Sequence, residues 1–239
     1  MIKVIGTAYR RADFSMDDFI AYWNDVHAPI SARVPGMRGY VVSEVVRRMM
    51  GELEADAFVE QWWDDEAAFE ATRETPELAA AWADVANYAR MDGTFWITRE
   101  HVLKTPYYDD QGLLQGGSGQ RAGRLKAIGT AYKRDDFTTA AFFDYWRDVH
   151  GPISARAPGL GAYVVSEVLE RLQGTLDADA FVEQWWDDEA TLLAAGDSPE
   201  VAAAWEDVAN YAKTSGTFWI VKEHVQIVPP YDGPGLLER

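Results

Sequence analysis

Two histidines occupy matching surroundings in the chain: His27 within Tyr22-Trp23, Val26-His27 and Pro29, and His150 within Tyr145-Trp146, Val149-His150 and Pro152. An imidazole exchanges a proton near neutral pH, which suits isomerisation, elimination or aldol-type ring closure beside a carbonyl. His27 and His150 are therefore the first candidates for acid/base work. A histidine bonding a carbonyl freed at a helix kink is the competing reading. Tyr40 and Tyr163 open a β-rich run just after Pro35-Gly36 and Pro158-Gly159, where a phenol could reach the same site and donate to an enolate or oxyanion. Either could equally be an aromatic core residue.

Strand alternation places Val59, Gln61 and Trp63 on one face and Phe58, Glu60 and Trp62 on the other. Gln61 and Gln184 are candidates for holding a substrate carbonyl. Trp63, Trp186, Tyr22, Tyr145, Trp82 and Trp205 would wall a flat apolar or aromatic ligand if they face a cavity, and are core otherwise. Glu60 and Glu183 are polar residues in an apolar strand and need partners if buried, with Arg33 and Arg156 expected, or else serve as a carboxylate base. His101 and His224 lie beside Glu100 and Glu223, yet nothing has the spacing of a metal motif, so no metal site is expected.

These candidates come in pairs because residues 3–114 return as residues 126–237 at a constant offset, with roughly 60% of positions identical, a period that means duplicated domains. Residues 1–114 form the first repeat, 115–123 a Gly-rich flexible linker and 124–239 the second repeat. Blocks such as Ala55–Ala67 return unchanged as Ala178–Ala190, while Met16/Thr139, Arg47/Glu170 and Met50/Gln173 have drifted as solvent-type positions do.

Within each repeat the periodicity changes in a fixed order. Ile2 to Tyr9 reads as a strand. Ser15 caps a helix running to about Arg33, its stripe made by Phe19, Tyr22, Trp23, Val26 and Ile30, kinked or interrupted by Pro29 and ended by Pro35-Gly36. Tyr40–Arg48 and Ala57–Trp63 read as strands, Thr75-Pro76 starts a helix over Glu77–Arg90, and Thr94–Leu103 is the last strand. This βαββαβ order is ferredoxin-like, an α+β fold whose sheet has one bare face. The second copy is the obvious cover, and two such sheets packed face to face make an intramolecular α/β barrel. The tails after each last strand, around Tyr108 and Tyr231, are expected to lie across the neighbouring repeat.

Composition sets limits. No cysteine means no disulfide, thiolate nucleophile or Cys-ligated metal. A net charge of −17 argues against nucleic acid and an anionic membrane surface as partners. No signal-like start or long apolar run is evident, so a cytoplasmic protein is expected, and one already paired internally is expected to be a monomer.

The run Phe19, Tyr22-Trp23, Val26-His27-Ala28-Pro29, followed by Pro35-Gly36 and Tyr40, resembles the helix and following strand of the EthD-like family of dimeric α/β-barrel proteins. The second repeat matches equally well, so the chain looks like a fused dimer. The wider superfamily holds muconolactone isomerases, polyketide cyclases and dehydratases, cofactor-free oxygenases of anthrone-like substrates, and haem proteins. The resemblance implies an acid/base role for the motif histidine. Some isomerases of the group carry a cysteine near Gln61, and its absence tells against thiol-assisted lactone chemistry.

The resulting expectation is an enzyme without cofactor, with one pocket per repeat for an aromatic, polyketide-like or lactone small molecule. His27 and His150 would move protons while Tyr40, Tyr163, Gln61 and Gln184 hold a carbonyl or enolate, giving isomerase or lyase chemistry. Cofactor-free monooxygenation, with Asn87 assisting, is the first alternative. A small-molecule or haem-binding accessory of a degradation pathway is the second.

Overall fold

The computed structural model describes residues 1–109 and 125–239. The linker and the Gly112-Leu113-Leu114 tail of the first repeat lie outside them.

β1 (Ile2–Ala8) is buried along its whole length because both faces are covered, one by helices and the other by the opposing sheet. The Ser15 side chain accepts the Asp18 amide and starts α1 (Met16–Tyr22), with Asp17 and Asp18 at the positive end of the helix dipole. The interruption expected at Pro29 takes the form of a π-turn over Trp23–His27, where the Ala28 amide reaches the Trp23 carbonyl. α2 (Ala28–Ser31) then carries the proline in its first turn, where a missing N–H costs least. Gly36, at φ 83°, lets the chain leave the helix for β2 (Met37–Met50). β3 (Ala57–Trp63) returns antiparallel. Asp65 caps α3 (Glu66–Glu70), and Thr75 caps α4 (Pro76–Val85). The helix expected to reach Arg90 stops at Val85, since the Asn87 and Tyr88 amides close three-residue turns onto Asp84 and Val85. β4 (Phe95–Lys104) completes the half.

The second half repeats this as β5 (Leu125–Ala131), α5 (Thr139–Tyr145), a π-turn at Trp146–His150, α6 (Gly151–Ser154), β6 (Leu160–Gln173), β7 (Ala180–Trp186), α7 (Glu189–Gly196), α8 (Pro199–Val208) and β8 (Phe218–Ile227). The eight strands close into one antiparallel barrel in the order β1-β3-β2-β8-β5-β7-β6-β4. β2 and β6 are long because each pairs twice, first within its own sheet and then across the seam with β8 or β4. Closure removes the open edges that a lone four-stranded sheet would expose.

The barrel interior corrects one expectation. Glu60 and Glu183 do not pair with Arg33 and Arg156; they meet the buried lysines Lys3 and Lys126 at the barrel centre. Lys3 Nζ lies 3.4 Å from Glu60, 3.1 Å from Glu100 and in contact with Glu183. Lys126 Nζ lies 2.6 Å from Glu60, 3.0 Å from Glu183 and 3.4 Å from Glu223. Ser43 and Ser166 donate to Glu60 and Glu183. Burial, then repulsion from Glu183, raises Glu60 to about 7 against the pull of Lys126. Two ammonium groups among four carboxylates thus favour a retained proton. Removing one partner of such a network costs several kcal/mol because the others stay buried and unpaired.

The C-terminal tail crosses to the other half as expected. The Tyr231 hydroxyl donates to Glu100 at 2.6 Å, and the Leu236 and Leu237 amides bond the Val102 and Leu103 carbonyls. Tyr108 makes the reciprocal reach to Glu223 at 3.1 Å.

Candidate active site

In both halves the helical layer over the sheet carries the same polar wiring. The π-turn widens the helix where His150 emerges, and its ring is buried between helix and sheet. His150 Nδ1 lies 3.0 Å from Asp207 Oδ2, on α8. Tyr145 and Asn210 donate to the other carboxylate oxygen at 2.7 and 3.0 Å. Burial alone would raise Asp207, but these donors and His150 outweigh it and hold the carboxylate below its ordinary range. An ionised Asp207 fixes the proton on Nδ1 and leaves the Nε2 lone pair to accept from Ser154 Oγ at 2.9 Å. Burial lowers His150 below the usual imidazole value against the pull of Asp207, so the ring is neutral at pH 7. Tyr163 accepts the Trp146 indole N–H at 2.6 Å, and burial raises its phenol, which keeps its proton.

The first half reproduces this wiring. His27 lies 3.0 Å from Asp84 and 3.0 Å from Ser31, Tyr22 and Asn87 donate to Asp84 at 2.9 Å each, and Trp23 donates to Tyr40 at 2.6 Å. The histidines' partners are thus side chains and not freed carbonyls. Asp84, Asp207, Ser31 and Ser154 escaped the sequence reading. The serines could have been found, since they follow the histidines by one helical turn in both repeats. The aspartates are 57 residues away and only the fold brings them in.

The halves differ in the space beside the wiring. A cavity of about 300 Å³ opens between sheet and helices of the second half, lined by His150, Ser154, Tyr163, Gln184, Trp186 and Trp205 among others. The lining is mostly apolar. Trp186 Nε1 is buried with no partner among the described residues. One pocket per repeat was expected; in the matching region of the first half the larger side chains Val4, Val34, Phe69 and Leu78 pack in one cluster with Trp63. Their counterparts Ala127, Ala157, Leu192 and Val201 are each smaller. Met49 and Met50, at the end of β2, also line the second-half cavity, so Met50 is not a solvent-type position. The long β2 carries them across the seam, where Met50 pairs with Phe218.

The remaining candidates take other places. Tyr145 and Tyr22 lie behind the histidines, stacked on Tyr211 and Tyr88 at 5.0 and 5.1 Å, and hold the aspartates. Trp82 packs on Phe95, and Trp205, about half exposed, stands at the cavity rim. Gln61 lies on the same face of β3 as Trp63. Asn87 holds Asp84. His101 meets Glu167 at 3.1 Å and stacks on Phe143; His224 meets Glu44 at 2.8 Å and Asn24 at 3.2 Å. All four histidines thus have side-chain partners. Among the described residues no three His, Cys, Asp or Glu side chains are grouped to hold a metal ion. No helix among them is long and apolar enough to cross a membrane.

Fold and wiring together define a dimeric α/β-barrel protein built within one chain, with an imidazole–carboxylate pair under each helical layer. The chain belongs to the EthD domain family, whose pattern matches residues 11–92 and again 134–215. No curated protein matches its sequence significantly. Solved structures share the whole architecture. An anthrone oxidase-like protein is 14% identical and covers 97% of this chain and 96% of its own, with a TM-score of 0.63. A presumed monooxygenase of Fusobacterium nucleatum is 8% identical, covers 98% of both chains and has a TM-score of 0.67. Another, of Lactobacillus acidophilus, is 9% identical, covers 95% and 96%, and has a TM-score of 0.57.

Proposed function

We propose that the chain is a cofactor-independent monooxygenase acting on a flat keto- or hydroxy-aromatic, polyketide-like substrate in the second-half cavity. The observation that carries this reading is the neutral His150, backed by ionised Asp207, at the wall of an apolar space that also holds the Gln184 carboxamide and the unpartnered Trp186 N–H. A substrate CH₂ made acidic by a neighbouring carbonyl gives its proton to His150 Nε2, in exchange for the Ser154 hydrogen bond. Asp207 stabilises the imidazolium. Gln184 and Trp186 donate to the enolate oxygen where charge develops. The carbanion then reduces dioxygen itself, and loss of water from the resulting hydroperoxide leaves a new carbonyl with one oxygen atom retained.

Isomerisation or dehydration would begin with the same deprotonation. The names of the structural neighbours support the oxygen-using outcome. Closure of the barrel leaves no sheet face to pair, which supports a monomer as the working unit. The test is anthrone turnover in air and under nitrogen, with a visible spectrum of the purified protein. Oxygen-dependent quinone formation without a Soret band is expected. Conversion that continues unchanged under nitrogen would overturn the oxygenase reading in favour of isomerase or lyase chemistry, whereas binding without conversion would leave a binding module.

A further inference from the structure

We infer that Ser154 is an activated nucleophile, and that the second-half cavity accepts acyl groups from aromatic esters or lactones onto its hydroxyl. This activity is separate from the oxygenase reading and needs no dioxygen. His150 Nε2 does not face the cavity alone, for Ser154 Oγ sits on it at 2.9 Å while Nδ1 is held by Asp207 at 3.0 Å. A hydroxyl bonded to an imidazole whose other nitrogen is bonded to a buried carboxylate is the arrangement that lets a serine attack a carbonyl, and it is recognised by geometry wherever it falls in a chain. Here Ser154 follows His150 by one helical turn, with both side chains on the cavity wall.

Acyl transfer also needs donors for the oxyanion, and the cavity has two. Trp186 Nε1 is a buried N–H with no acceptor among the described residues, as is its first-half counterpart Trp63 Nε1; of the two, Trp186 lines a cavity in which a ligand oxygen could accept from it. Gln184 adds a carboxamide on the same strand face, two residues away. As Ser154 Oγ bonds the carbonyl carbon, its proton passes to His150 Nε2 and the carbonyl π pair moves to oxygen. When the oxyanion collapses, the C–O bond to the alcohol or phenol breaks and the leaving oxygen takes the proton from His150. Water then repeats both steps on the acyl-serine and releases the acid. The balance is ester plus water to acid plus alcohol.

The chain contains its own control. Ser31, His27 and Asp84 repeat the bonds at 3.0 Å each, but larger side chains pack in the region a substrate would need.

The full-length protein is treated with phenylmethylsulfonyl fluoride under nitrogen, followed by intact mass and peptide mapping. Attack by Oγ on sulfur expels fluoride and leaves one sulfonyl group. One adduct on Ser154 and none on Ser31 is expected, with loss of phenyl acetate hydrolysis in step with labelling. Ser154→Ala should take up no label, Ser31→Ala should label as the wild type does, and His150→Ala should label at least ~100-fold more slowly, the scale on which a positioned base acts. The wild-type map needs no variant to fold. An unmodified wild type, equal labelling of Ser31 and Ser154, or a label carried by Tyr163 would each overturn the inference.

Discussion

The two halves carry the same wiring around different volumes. Histidine, aspartate, serine, tyrosine and the π-turn tryptophan match in identity and in hydrogen-bond distance to within about a tenth or two of an ångström. Around them nine lining positions change, Val4 to Ala127, Val34 to Ala157, Phe69 to Leu192, Glu70 to Leu193, Thr72 to Ala195, Arg73 to Gly196, Leu78 to Val201, Arg90 to Lys213 and Met91 to Thr214. All but Glu70 to Leu193 make the second half smaller. Undirected drift would enlarge some positions and shrink others, because a well-packed interior resists both overpacking and cavities. The wiring persists in the more tightly packed first half as well, where it ties the π-turn to α4 as its copy ties the second π-turn to α8, a structural task. A His–Asp pair is therefore not in itself enough for the proposed site, which needs the pair plus empty space.

Histidine replacement gives the sharpest break of this comparison. His150→Ala should lower turnover roughly 10²- to 10⁴-fold, the worth of a positioned general base, whereas His27→Ala should leave turnover per folded molecule unchanged. Steady-state rates on both variants, normalised to folded protein by circular dichroism, check it. Equal losses would mean that the first half is also open to substrate. The barrel centre should behave in the opposite way, since both halves share it. Lys3→Met and Lys126→Met should each cost about 3–5 kcal/mol in urea unfolding, and a large inequality between them would break the symmetry read from the ion network.

Volume exchange should produce smaller and unequal effects. Val4→Ala with Val34→Ala should cost roughly 2–5 kcal/mol by leaving a void, while Ala127→Val with Ala157→Val should change stability by only about 1 kcal/mol because space already exists there. The second pair should nonetheless abolish ligand binding, measurable by quenching of tryptophan fluorescence.

The smallest effect is on pH. Burial lowers both His27 and His150, so as pH falls the unfolded chain takes up protons before the folded one does. Their contribution to stability is full above pH 6.5 and declines below it. Each alanine variant should flatten that slope by a similar amount. Activity should instead follow His150 alone, holding down through pH 6.5 and failing only below it. An acid limb above pH 6.5 would contradict a neutral, buried base.

The sequence by itself determined the duplication, the βαββαβ order, the barrel and the motif histidines with their strand tyrosines. Those rest on local information: periodicity, caps at Ser15 and Thr75, and a repeat in constant register. The tertiary structure alone decided what each histidine touches and whether a substrate can reach it. Asp207 meets His150 only because α8 packs beside the π-turn, and Glu60 finds Lys126 instead of Arg33 only because two sheets close face to face. The cavity is less legible still, since it comes from several small reductions in side-chain volume on separate elements and from Met49 and Met50 of the other half. Several of the substitutions merely exchange one apolar side chain for another, and volume adds up only in three dimensions.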